Sequence, residues 1–237
     1  MPELPEVETI AEELRALIVG KTIRNITIAW PRTIEGDQKE FQSALINRKI
    51  IRIDRRGKYL CLCLEDELCL TIHLRMTGKL VFAPEEKDQK HIRVVFQFTD
   101  GTTLYFVDMR KFGRMKLWSQ VELLLPHLGP DALDEKTVFQ ALVNQTSRRP
   151  IKTLLLDQEI LAGVGNIYAD EALFMAGIHP LTPLHKLTKQ RLRKLSKHLP
   201  EILKAAIENN GTTISDYRRT DRLKGEHQFF LNVYGRE

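Results

Sequence analysis

From Thr22 to Trp118 the apolar residues of this chain alternate or run in short blocks, whereas beyond Lys136 they recur every three or four positions. A segment can satisfy only one of these periods. Strand side chains change face at every residue, while helix side chains return to one face after about 3.6. The switch predicts strands first and helices second, an α+β organisation rather than a parallel α/β sheet.

The runs TIRNITIAW, KIIRIDRR, YLCLCL, LCLTIHL, HIRVVFQF and TTLYFV read as short strands of an antiparallel sheet domain, and TDGT carries an Asp-Gly hairpin signal. Ahead of them, PEVETIAEELRALIVG sets Val7, Ile10, Leu14, Leu17 and Ile18 on one stripe, predicting a helix that stops near Gly20. Proline and glycine gather in LLPHLGPDALDEK, which predicts a linker over 129–135 between units 1–128 and 136–237. Helices follow in KTVFQALVNQ, PIKTLLLDQ, NIYADEALFMAG and LTKQRLRKLSKHLPEILKAAIENNG, the last bent at Pro200 and ended by Asn210-Gly211.

With 237 residues, 43% of them hydrophobic and 28% charged, the chain can bury a substantial core and is not a disordered sequence. The net charge is only +5, yet Lys186 to Lys204 holds seven basic residues against the single acid Glu201. Such a run suits nucleic acid or an anionic membrane, and more often is just a solvated helix face. No stretch nears the roughly 20 apolar residues that span a bilayer, and the acidic N-terminus does not resemble a signal peptide, so a cytoplasmic protein is expected. Cys61, Cys63 and Cys69 all fall in CLCLEDELCL without CxxC spacing, which predicts reduced core thiols rather than disulfides or zinc ligands.

The sequence opens MPELPEVETI. Removal of Met1 would make Pro2 a terminal secondary amine, and an α-amino group titrates near about 8, so much of it is nucleophilic at neutral pH. Attack on a sugar carbon could displace a base and leave an iminium, with Glu3 placed to move protons. The same residues also suit a plain helix start, and taken alone they favour that reading. LAGVGNIY invites a dinucleotide-cofactor reading that fails, because Tyr168 stands where the third glycine belongs and no suitable strand precedes it.

MPELPEVET, RRGKYL, HLRMTGKL, DMRKFG and LLLDQEILAGVGNIYADEALF occur in this order, and together they resemble the formamidopyrimidine-DNA glycosylases along essentially the whole chain. The resemblance implies an N-terminal antiparallel β-sandwich with an N-terminal helix, then a helical unit with a helix-two-turn-helix motif. It implies that Pro2 is the Schiff-base nucleophile, Glu3 the proton donor and Lys58 a catalytic lysine on a hairpin turn. Met76, Arg110 and Phe112 match residues that fill the gap left by an everted nucleotide, a task that suits apolar wedges beside an arginine. His73, His91, Arg110, Arg148 and Lys152 match or lie at DNA-contacting positions, and Asn166 sits where a helix start could grip phosphate. The segment TTISDYRRTDRLKGEHQFF corresponds to a lesion-recognition loop.

The implied activity is glycosylase and abasic-site lyase on duplex DNA with an oxidised purine, 8-oxoguanine or a formamidopyrimidine, by a monomer associated with the nucleoid. An endonuclease VIII-like preference for oxidised pyrimidines is the nearest alternative, and a lesion-DNA binder without activity is another. The family also carries a zinc finger of two CxxC pairs just after a VYGRE-like stretch. Those cysteines do not occur here, so a shortened chain with no zinc ligand set and no cofactor is expected.

Overall fold

A computed structural model describes residues 1–119, 125–214, 217–221 and 223–235. The first helix, α1 (Leu4–Ile18), starts with Pro5 in its opening turn, where a missing N–H costs nothing. It buries Val7, Ile10, Ala11, Leu14 and Ile18 on one face, while Leu17 stays 45% exposed. The predicted stripe was thus one residue too wide, since Leu17 lies on the outer flank of Leu14 and Ile18.

Two sheets follow. One has the order β1 (Ile23–Ile28), β7 (Ile92–Phe98), β8 (Thr103–Asp108), β6 (Gly78–Val81), all antiparallel. The other has the order β2 (Ile34–Glu35), β9 (Arg114–Trp118), β5 (Cys69–His73), β4 (Tyr59–Leu64), β3 (Ile50–Arg56), antiparallel except for the two-residue β2–β9 pair. Ile26, Phe96 and Phe106 of the first sheet and Ile53, Leu62, Leu70 and Ile72 of the second share one core with α1, which makes the unit a sandwich. The β7–β8 hairpin turns at Asp100-Gly101 as its sequence predicts, with Phe98 N–H donating to Thr102 O at 2.9 Å.

Three elements went unread in the sequence, one of them the two-residue strand β2. Helix α2 (Gln38–Leu45) is capped by Asp37, which accepts from Glu40 N–H, and it buries only Phe41 and Leu45. Strand β6 has four residues and acquires its period only by pairing with β8.

The helical unit comprises α3 (Glu135–Val143), α4 (Ile151–Leu155), α5 (Asn166–Ala176) and α6 (Lys189–Glu208), packed around Val138, Leu154, Tyr168, Leu173, Leu195 and Leu199. Asp134 caps α3 and Thr188 caps α6, each accepting an N–H from the third residue onward. Helix α6 runs unbroken through buried Pro200, and Asn210 and Gly211 turn the chain in the left-handed region. Contacts from α6 to α3, α5 and α1 join the two cores. No described helix is long and apolar enough to cross a membrane.

Because Leu14 is fully buried and Leu17 is not, Leu14→Ala should destabilise the fold by about 2–5 kcal/mol. Leu17→Ala should stay within about 0.5 kcal/mol. Urea denaturation of both variants checks the assignment of the stripe.

Candidate active site and nucleic-acid interface

The N-terminus is held at the junction of the two units. Leu4 N–H donates to Gly163 O at 3.0 Å, and the Glu3 carboxylate accepts from Gly165 N–H at 2.7 Å and Ile167 N–H at 2.9 Å. Glycine is required at both positions of this Gly-Val-Gly stretch. A Cβ on Gly163, whose φ is +96°, would meet the Leu4 side chain at 2.6 Å, and one on Gly165 would meet Glu3 Cδ at 2.3 Å. The Gly165 and Ile167 amides at the start of α5 are therefore turned inward to a carboxylate, while the Asn166 side chain stays exposed.

Glu3 is 3% exposed, and burial, reinforced by Glu6, pushes its pKa up to about 7 against the pull of Lys58. Glu6 is buried as well and is also raised by burial. Its carboxylate accepts from Glu3 N–H at 2.7 Å, Tyr168 Oη at 2.5 Å and Thr212 N–H at 2.8 Å. Lys58 lies in the turn between β3 and β4, 6% exposed, and burial lowers its pKa although Glu3 and Glu6 favour its charge. Its hairpin is pinned to the helical unit. Gly57 N–H donates to Asp131 Oδ1 at 2.8 Å, and buried Arg55 bridges Glu8 at 2.7 Å and Asp131 at 3.1 Å.

Pro2 is buried, and with Met1, Met76, Glu6, Ile167, Thr212, Ile214 and Tyr217 it lines a small pocket. While Met1 is attached, the Pro2 nitrogen is an amide with no nucleophilic lone pair. Met76 sits on the β5–β6 turn, 41% exposed, and a second turn after β8 carries Arg110, whose guanidinium lies 4.8 Å from the centre of the exposed Phe112 ring.

The buried Asp108 carboxylate ties the two turns. It accepts from Thr77 Oγ1 at 2.5 Å, Arg110 N–H at 3.2 Å and Gly113 N–H at 2.8 Å. Sequence reading passed over Asp108, Thr77, Glu6, Tyr168 and Thr212, because their partners are far away in the chain. Only the Glu three residues after Glu3, a capping-box spacing, offered a signal.

The remaining sequence-nominated residues are spread more widely. His73 is 6% exposed, and burial, with Arg75 and Lys58 adding repulsion, lowers its pKa to about 3. Its Nδ1 accepts from Arg75 N–H at 3.0 Å, which leaves Nε2 as the protonated nitrogen of a neutral ring. His91 lies apart, half-buried beside Arg93, in a cleft shared with Thr77, Lys79 and Met109. Arg148 is exposed just before α4, and Lys152 is committed to an ion pair with Asp170 at 2.8 Å. Of the predicted lesion-recognition segment, residues 215, 216 and 222 lie outside the described residues.

Glu3 gives a stability signature. Its folded pKa is raised, so the folded state binds the proton more tightly than the unfolded chain. Its contribution is complete below 4.5 and is lost as pH rises through about 7, by about 3 kcal/mol in all. Denaturation between pH 4.5 and 8.5 should show this fall, and Glu3→Gln should flatten it. Asp108→Ala, by orphaning three donors, should cost about 2–4 kcal/mol in the same assay.

Residues 1–115 match the formamidopyrimidine-DNA glycosylase N-terminal domain and residues 128–218 its H2TH domain. The formamidopyrimidine-DNA glycosylase of Ligilactobacillus salivarius is 43% identical over all of this chain and 88% of its own length, and that of Lactiplantibacillus plantarum 41% over 100% and 89%. The crystal structure of the MutM (Fpg) protein from Thermus thermophilus superposes with a TM-score of 0.89 at 42% identity, covering 100% of this chain and 88% of that one. A Lactococcus lactis Fpg mutant complexed with Fapy-dG-containing DNA reaches 0.87 at 36%, covering 99% and 88%. The three cysteines of the sequence belong to β4 and β5.

Proposed function

This chain belongs to the formamidopyrimidine-DNA glycosylase family, a family of DNA glycosylases, and on that premise we propose that it excises oxidised purines, 8-oxoguanine and formamidopyrimidines, and then cuts the strand. The observation that carries this reading is the burial of Glu3, with a pKa raised to about 7, directly after Pro2 in the chain, while Pro2 itself lines a small pocket with Glu6 and Met76. A carboxyl group near half-protonation at neutral pH can both give and take a proton.

Once Met1 is removed, the Pro2 nitrogen attacks C1′ of the damaged nucleotide, and the bond from C1′ to the base breaks. Glu3 gives its proton to the ring oxygen O4′, the sugar opens, and an iminium joins Pro2 to C1′. The iminium withdraws electrons, so a proton is lost from C2′ and the 3′ phosphate departs; a second elimination releases the 5′ phosphate. Lys58, whose pKa is lowered by burial, serves proton transfer at the sugar-phosphate. The Met76, Arg110 and Phe112 turns, locked together through Asp108, fill the vacated stack.

Duplex DNA is the partner, contacted mainly through its backbone by His91, Arg148 and Asn166. Neutral His73 adds one N–H donor rather than a charge. Lys152 acts through its ion pair with Asp170, fixing α4 against α5. The DNA complexes of the Lactococcus lactis relative support this partner, and a monomer near the nucleoid suits the task.

Borohydride trapping on an 8-oxoguanine duplex tests the mechanism, with the first residue identified by mass spectrometry. Protein starting at Pro2 should give an adduct mapped to that residue, and Pro2→Gly should lower trapping by roughly 100-fold or more. Protein that retains Met1 should give none. An adduct through a lysine would refute the assignment, and faster excision of thymine glycol than of 8-oxoguanine would refute the purine preference.

A further inference from the structure

Cys61, Cys63 and Cys69 take no part in the chemistry above. They project from β4 and β5 on the sheet face opposite the sandwich core and pack with Leu125, Leu128 and Ala162. Cys63 and Cys69 are directly opposed across the two strands. The adjoining Leu64 N–H donates to Leu68 O at 2.8 Å, so the 63–69 pair occupies a site without ladder hydrogen bonds of its own. Opposed Cα atoms at such sites lie about 4.5 Å apart, inside the roughly 4.4–6.8 Å span of a disulfide. The two sulfurs stand 3.7 Å apart. Cys61 is opposed to Thr71 instead, which leaves it diagonal to Cys69, where Cα separations of about 7 Å exceed that span.

All three thiols are buried, and Cys63, 3% exposed, is hydrogen-bonded to a side chain that reaches solvent. Its sulfur lies 3.7 Å from Asp54 Oδ2, and Asp54 and its ion-pair partner Arg52, 2.6 Å apart, are exposed side chains on β3, the edge strand of the sheet. The Cys69 thiol and the Arg52 guanidinium favour the thiolate at Cys63 and outweigh burial and the Asp54 carboxylate, while its hydrogen-bonded neighbours and burial hold Cys69 protonated.

We propose that Cys63 and Cys69 are a peroxide-reactive pair that closes reversibly into an intramolecular disulfide. The Cys63 thiolate attacks hydrogen peroxide: an S–O bond forms, the O–O bond breaks, and hydroxide leaves, so that sulfur loses two electrons and the peroxide gains them. The Cys69 sulfur then displaces the hydroxyl of the Cys63 sulfenic acid, and that hydroxyl leaves as water with the Cys69 proton. Cys61 stays a thiol. The bridge would lock β4 to β5 beneath the 125–128 segment, and an external thiol would reopen it.

The test is to treat the folded full chain with graded hydrogen peroxide, denature it without reductant, alkylate with iodoacetamide and map the cysteines by tandem mass spectrometry. The expected result is a fall from three alkylated cysteines to one, Cys61, in a product lighter by two hydrogens and reversed by dithiothreitol. Cys61→Ser should still form the bridge, and Cys63→Ser should not. Three thiols surviving peroxide, sulfinic acid accumulating without a cross-link, or a bridge that includes Cys61 would each overturn the proposal. Mapping of the unsubstituted protein decides the matter even if a variant fails to fold.

Discussion

Two buried carboxylates at the head of α1 organise this molecule. Glu3 and Glu6 are taken out of water beside one another, an arrangement that costs several kcal/mol per charge unless hydrogen bonds compensate. The compensation comes from remote chain: Gly165 and Ile167 amides for Glu3, Tyr168 and Thr212 for Glu6. Each donor lies more than 150 residues from its acceptor, so the N-terminus finds its place only when both units have folded and docked. The start of α5, with its positive helix end, adds an electrostatic reason for a carboxylate to settle there.

The same incomplete compensation suits the proposed chemistry. Were Glu3 fully solvated or paired with a close cation, its pKa would lie low and it would hold no proton at neutral pH. Burial overrides the pull of Lys58 and keeps Glu3 near half-protonation, while burial lowers Lys58. The site is thus held in a state that is poor for stability and useful for proton transfer, a compromise common where pKa values are tuned. The surrounding frame supports it. Arg55 and Asp131 pin the Lys58 hairpin, and Asp108 locks two turns that would otherwise carry Met76 and Phe112 independently. Glu171 does a comparable job at the other end, accepting the 232–234 amides at 2.7 to 2.9 Å.

Most strands and all four later helices were legible because their apolar period is strong over six or more residues or because they are bounded by Asp, Thr or Gly caps. Strands β2 and β6 and helix α2 were not, since strands of two and four residues and a helix with two buried side chains carry too little pattern. Leu17 was misplaced because a helical wheel locates a face to within about one residue and cannot see where the neighbouring sheet ends. The Gly-Val-Gly stretch, whose dinucleotide-cofactor reading fails, packs against a carboxylate 162 residues away.

The sequence alone determined the order of strands and helices, the α+β class, the position of Pro2 at the tip and, through five ordered blocks, the family. These are local or cumulative signals, written in the spacing of neighbouring residues. Only the tertiary structure decided which groups meet: that Glu3 is buried and near half-protonated, that His73 is neutral, that Lys152 is committed to Asp170, and that Asp108 ties the two turns. Burial and hydrogen bonding between distant segments set those properties, and no window of sequence contains both partners.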